Sequence, residues 1–252
     1  MTRNDGRSSD QLREVEVQLG LQHNPEGSVL YRCGGTKVLI SASVSEGVQR
    51  FMEGSGQGWV TAEYTMHPRA NPERQRREGW NDGGRISGRT HEIQRLIGRA
   101  LRAAIVPERL GERTITIDCD VLDADGGTRT ASITGGYIAL VLALDKLRKK
   151  GMARPGVLRE PVAAVSVGLA GEKSLLDLCY TEDRDAQVDL NLVGTASGAV
   201  IEVQGTAEGA PIMREQLDRL VDLATAGVRS LTEVQAEVLA RAGIDVARLL
   251  RA

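Results

Sequence analysis

The sequence predicts a single mixed α/β (α+β) domain over residues 1–252, and three observations carry that expectation. Stretches with strand-like alternation and stretches with helical periodicity interleave along the whole chain. No repeat recurs at a fixed period, and no low-complexity tract interrupts the pattern. The 252 residues are 41% hydrophobic, 26% charged and 3% aromatic, an ordinary globular composition at a length that buries a core without disulfides or a structural metal.

Residues 14–20 alternate polar and apolar, and residues 36–45 are rich in β-branched side chains after Gly34-Gly35, so both predict strands. Residues 65–88 carry Pro68, Pro72, Gly79, Gly83, Gly84 and Gly88 and predict a long functional or disordered loop. Ile93, Leu96, Ile97, Ala100, Leu101 and Ala104 then recur at helical spacing, with Pro107 closing the segment. Residues 114–121 alternate, placing Ile115, Ile117, Cys119 and Val121 on one face and Thr116, Asp118 and Asp120 on the other. A helix is predicted near 130–150, and strands at 162–169, 174–180 and 188–204, the last broken at Ser197-Gly198 as by a hairpin turn. Two helices, 212–228 and 231–242, complete the expectation.

Several classes of function are excluded by inspection. No stretch fits the P-loop, the dinucleotide fingerprint or the nucleophile elbow. The acidic residues Asp118, Asp120, Asp123 and Asp125 do not make a calcium loop, because with Gly126 as its turn glycine the first and last ligands would be Val121 and Ser132. Cys33, Cys119 and Cys179 are widely spaced and odd in number, which suggests neither a disulfide framework nor a zinc site. His23, His67 and His91 read as surface or packing residues. The N-terminus lacks an apolar signal core, and the longest apolar run, Tyr137 to Leu144, is too short to span a bilayer, so a cytoplasmic protein without membrane contact is expected. With 32 basic and 34 acidic residues, a polyanion would have to be met by a local basic patch. Few aromatics argue against a stacking platform for single-stranded nucleic acid.

Three groups of residues suggest chemistry. Arg89 stands at a helix start in Gly88-Arg89-Thr90, and Gly126-Gly127-Thr128-Arg129 enters the next helix with two glycines, a hydroxyl and a guanidinium. Helix N-termini favour anions, so the pair describes a phosphate cradle, although each turn alone also reads as a plain connector. Residues 181–189 hold a second group: if Val188, Leu190 and Leu192 face the core, Asp189 and Asn191 face the other way, and Asp183 reaches across the turn to Asp189. Two such carboxylates suit Mg²⁺ with a phosphorylated substrate, and the same stretch also reads as a solvated acidic turn. In the long loop, Arg69, Arg74, Arg76, Arg77 and Arg85 outnumber Glu73, Glu78 and Asp82, which suits a phosphodiester backbone or a salt-bridged surface.

The stretches Gly58 to Tyr64, Gly88-Arg89-Thr90 with residues 92–97, Asp118 to Gly135 and Ile201 to Gly209 closely resemble the ribonuclease PH family, in unbroken order from Asp5-Gly6-Arg7 onward. The resemblance implies a two-layer fold of β-α units like those of a ribosomal protein domain. It also implies a phosphate-dependent 3′→5′ exoribonuclease that trims tRNA precursors and other RNA 3′ ends and works as a homohexamer, a trimer of dimers. Carried over by position, the family's phosphate site falls on Arg89, Gly127, Thr128 and Arg129, its acidic metal pair on Asp183 and Asp189, and its RNA-gripping arginines on Arg69, Arg74 and Arg77. Inorganic phosphate would be co-substrate and Mg²⁺ the cofactor, with Asp189 either a metal ligand or a proton-transfer group. The chain departs from the family pattern at Gly79 to Gly84, where the loop is enlarged. One rival reading is a non-catalytic RNA-binding ring subunit, which would lack the phosphate arginines or the aspartate pair, and all are filled here. Another is an enzyme acting on a different phosphorylated substrate, which gives the arginine loop no role.

Overall fold

The computed structural model describes Arg3, residues 5–79 and residues 85–250; the enlarged loop read at Gly79 to Gly84 lies, after Gly79, outside the described residues. The first half of the chain builds one sheet from β1 (Val15–Leu19), β2 (Gly27–Cys33), β3 (Thr36–Glu46), β4 (Trp59–Met66) and β5 (Arg113–Asp123), in the order β1-β2-β3-β5-β4. Its pairs are antiparallel except β4 with β5. A parallel pair needs a crossover, supplied by α1 (Gly88–Ala103) and the short α2 (Pro107–Leu110). The alternation of β5 is as expected: Ile115, Ile117, Cys119 and Val121 are buried, and Thr116, Asp118 and Asp120 are partly exposed.

The second half builds an antiparallel sheet from β6 (Val162–Ala170), β7 (Lys173–Leu176), β8 (Val188–Thr195) and β9 (Val200–Ala207), in the order β7-β6-β8-β9. On it lies α5 (Arg214–Arg241), which packs Leu220, Ala224, Val228 and Leu231 into a second core. Their spacing is that of one stripe on an amphipathic helix. Between the sheets runs α3 (Thr128–Lys149), touching β2 and β3 on one side and β6 on the other. Its Thr134 hydroxyl both donates to and accepts from the Ala164 backbone of β6, at 3.1 Å each. Because α3 is covered on all sides it is apolar all round, and by length and composition it could cross a membrane. With 89% of that apolar window buried between the sheets, it is the core helix of the fold.

Four expectations are corrected. The two C-terminal helices are one, since Arg229 and Ser230 are an outward-facing pair on continuous α5, not a break. The strand expected at 174–180 stops at Leu176, because Asp177 takes a left-handed φ of 55° and the chain then winds into α4 (Tyr180–Asp185). The expected loop at 65–88 begins later, since β4 continues to Met66. Pro107 does not close α1, which ends at Ala103; it opens α2, where its missing N–H is tolerated. β2 and β4 answer to no alternation read beforehand.

Candidate active site

After β5 the chain must reverse into α3, and it does so through Gly126 and Gly127, at φ 75° and 66°. That region favours glycine. Space demands it too, because a Cβ on Gly126 would lie 2.7 Å from the Leu178 carbonyl oxygen and 2.8 Å from the Tyr180 nitrogen. The turn is pinned by Thr36, whose hydroxyl donates to the Gly126 carbonyl at 2.7 Å and accepts from the Asp125 N–H at 2.9 Å. No side chain caps α3 at Gly127, so the amides of its first turn are free to face an anion.

The side chains of that first turn are held from outside the helix. The Thr128 hydroxyl lies 2.8 Å from the Tyr64 hydroxyl of β4. Burial pushes the Tyr64 phenol up, against the opposing pull of Thr128, Arg89 and Arg129. Arg129 donates to the Gln204 side chain at 3.3 Å, Gln204 donates to Glu202 at 3.0 Å, and Glu202 receives Arg99 of α1 at 2.9 and 2.6 Å. A relay of polar contacts therefore fixes the Arg129 guanidinium from β9 and α1.

α1 begins beside the turn. Ser87 caps it, its hydroxyl accepting from the Thr90 N–H at 3.2 Å, while the Thr90 hydroxyl donates to Glu78 at 2.6 Å. That bond holds the Glu78 carboxyl below its usual range and ties the arginine loop to the helix that carries Arg89. Arg89 is exposed, and its charge reaches both Tyr64 and Asp183.

The carboxylates come from the second sheet. Val188, Leu190 and Leu192 of β8 are buried, so Asp189 and Asn191 face the opposite side, into the cleft. Asp183 sits on α4 at the cleft lip. Although it is exposed, loss of water against the wall raises its carboxyl, and the charge of Asp189 raises it further, against Arg129 and Arg89. Among the described residues no group of three or more His, Cys, Asp or Glu could hold a metal. The candidate donor set is therefore this crowded oxygen pair, suited to a hard divalent cation that keeps water and substrate oxygens as its other ligands.

One cleft of about 440 Å³ is lined by Arg89, Gly127, Thr128, Arg129, Asp183 and Asp189 together. The three remaining candidates stand apart. Arg69, Arg74 and Arg77 are exposed and do not line it, and the charge of Arg77 falls on Asp120, whose carboxyl is raised by burial. Of the loop, His67, Asn71, Gln75, Arg76, Glu78 and Ser87 line the cleft, and the chain folds back there with the Gln75 N–H on the Pro68 carbonyl at 2.8 Å. Sequence reasoning gave no separate role to Arg76, Tyr64 or Gln204. For Tyr64 a signal existed, the alternation of buried Val60, Ala62 and Tyr64.

Comparison with known proteins converges on one family. Residues 11–144 match the 3′ exoribonuclease family, domain 1, and residues 160–227 match its domain 2. The chain is 55% identical to ribonuclease PH of Crocosphaera subtropica over 240 residues, 95% of this chain and 98% of that one. It is 52% identical to ribonuclease PH of Bacillus subtilis over 238 residues, 94% and 96% of the two. In fold it is similar to rice Rrp46, with a TM-score of 0.75 at 18% identity over 94% of this chain and 100% of that one. It is similar also to a chain of the Archaeoglobus fulgidus exosome with RNA bound to the active site, with a TM-score of 0.76 at 22% identity over 92% and 91%. With both family domains matched in order, and relatives above half identity along nearly the whole length, the chain belongs to the 3′ exoribonuclease family, in its ribonuclease PH branch.

Proposed function

We propose that the cleft carries out phosphate-dependent 3′→5′ exoribonucleolysis, trimming the 3′ ends of tRNA precursors and releasing nucleoside diphosphates. The chain is a phosphorolytic exoribonuclease. The observation that carries the reading of the site is the meeting, in one cleft, of an anion cradle at the starts of α1 and α3 with a carboxylate pair from α4 and β8.

An oxygen of inorganic phosphate attacks the phosphorus of the last internucleotide linkage. The bond to the 3′ oxygen of the penultimate nucleotide breaks, that oxygen takes a proton, and the terminal nucleotide leaves as its diphosphate. Phosphate is already an anion at neutral pH, so the site needs no strong base to make its nucleophile. It must instead overcome repulsion between two anions. Arg89, Arg129, the Thr128 hydroxyl and the amides after Gly127 hold the nucleophile in line, with Thr128 and Arg129 held in place before substrate arrives by Tyr64 and Gln204. Asp183 and Asp189 would hold Mg²⁺, and the chemistry it would supply there is relief of the negative charge that builds up in the transfer. The meeting of both carboxylates in one cleft, with the charge of Asp189 bearing on Asp183, supports this, because a divalent cation would offset that repulsion. Arg69, Arg74 and Arg77 lie on the loop beside the cleft and grip the RNA backbone farther from its end. The expected assembly, which the family resemblance implies, is a homohexameric ring, a trimer of dimers, in the cytoplasm.

Arg129→Ala removes a charged donor preset toward the nucleophile. Steady-state phosphorolysis at varied phosphate should show kcat/KM for phosphate falling by about 10²-fold. Near-wild-type phosphate dependence would remove Arg129 from the scheme.

A further inference from the structure

The cleft is assembled between two sheets, and among the contacts that join its sides is a buried ion pair of Arg13 with Asp177. Arg13 lies before β1, and its backbone N–H and Nε donate to Asp177 Oδ2 at 2.8 and 3.1 Å, while Nη2 donates to Oδ1 at 2.6 Å. Its Nη1 donates to the Asp125 carbonyl at 2.6 Å, and the guanidinium sits so close behind Gly127 that a Cβ there would lie 2.8 Å from Nη2. Arg13 thus grips the anion-binding turn with one edge and Asp177 with the other. Asp177 is in turn the left-handed residue that swings the chain from β7 toward α4. An L-residue persists there only when its surroundings over-determine it. Here the Asp177 carbonyl accepts from Arg3 at 3.0 Å and from Arg7 at 3.1 Å, and its N–H donates to the Ser166 carbonyl at 2.7 Å. Arg3 continues to Glu182, the neighbour of Asp183, with two bonds of 2.7 Å.

We propose that Arg13 and Asp177 are positioning residues for phosphorolysis, a buried joint that sets the distance between the phosphate cradle and the strap that carries Asp183. The inference rests on the phosphorolytic reading above. It follows from the contacts of Arg13 with the anion-binding turn: a shifted joint displaces the cradle itself, which weakens the hold on phosphate as well as the line of attack, and a displacement of about 1 Å costs on the order of 10²-fold. The cradle is carried by the starts of α1 and α3 and the carboxylates by α4 and β8, so no single element holds that distance.

The test compares Arg13→Lys and Asp177→Asn with the wild-type chain; Asn is chosen because it tolerates a left-handed φ. Phosphorolysis is followed at varied phosphate, with circular dichroism to select folded protein. The expected result is a rise of about tenfold or more in KM for phosphate, with RNA affinity by filter binding unchanged. A joint that only stabilises the fold would lower kcat through the active fraction and leave that KM alone, and this result would overturn the proposal. Where both variants fail to fold, Glu182→Gln decides. It keeps an acceptor for Arg3, and it should raise the same KM by a few-fold; no rise overturns the proposal. A wild-type chain with no phosphate-dependent product would overturn the proposed function and this inference together, whereas an active wild type with unchanged variant KM overturns the inference only.

Discussion

At the scale of single residues, Asp177 shows how charge is kept inside this protein. Burial pushes its carboxyl up, but the hydrogen bonds and charge of Arg13, with Arg7 behind, outweigh that and hold it below the usual carboxylate range. A carboxylate depressed in the folded state adds stability above its unfolded pKa, and that stability is lost as pH falls through the folded value. Breaking one side of a buried pair costs about 3–5 kcal/mol. Asp177→Asn should therefore lower the melting temperature sharply at neutral pH. The gap from wild type should stay constant down to roughly pH 5 and narrow below about pH 4, where the carboxyl of the unfolded chain takes up its proton first, closing only as the depressed native carboxylate is protonated in turn at lower pH. Thermal melts of both proteins across that range check it, and a gap independent of pH down to acid conditions would contradict the ionic account.

Elements decide which of these residues were legible beforehand. The alternation of residues 188–192 placed Asp189 and Asn191 on the cleft face of β8, and the glycine pair announced the turn before α3, because both follow from local geometry. The joint of Arg13 with Asp177 spans 164 residues, and no local pattern encodes such a pairing. In sequence, Arg229-Ser230 interrupts the apolar stripe and predicts two helices, although on the surface of α5 the pair only faces outward. In the loop, charge count marked a basic segment but not which arginine enters the cleft, since that depends on the fold-back that brings Gln75 to Pro68. The loop carries its own prediction. Changing Arg69, Arg74 and Arg77 together to Ala should weaken RNA binding and make the slope of log affinity against log salt shallower by roughly two to three units, as fewer counterions are released. Fluorescence titrations at several salt concentrations measure that slope, and an unchanged value would leave these arginines as solvated surface.

For the whole molecule, the arrangement of two sheets around α3 explains why the site lies at their junction: the anion turn feeds α3 from β5, and α4 and β8 bring the carboxylates from the other side. If the proposed ring is the working form, sedimentation should give six times the monomer mass, and a stable, fully active monomer would contradict it. The central claim, that phosphate and not water is the nucleophile, is tested most directly on products. The purified chain is incubated with a tRNA bearing extra 3′ nucleotides and Mg²⁺, with and without inorganic phosphate, and the released nucleotides are identified. Nucleoside diphosphates that appear only with phosphate are the predicted result; monophosphates released without phosphate would contradict it.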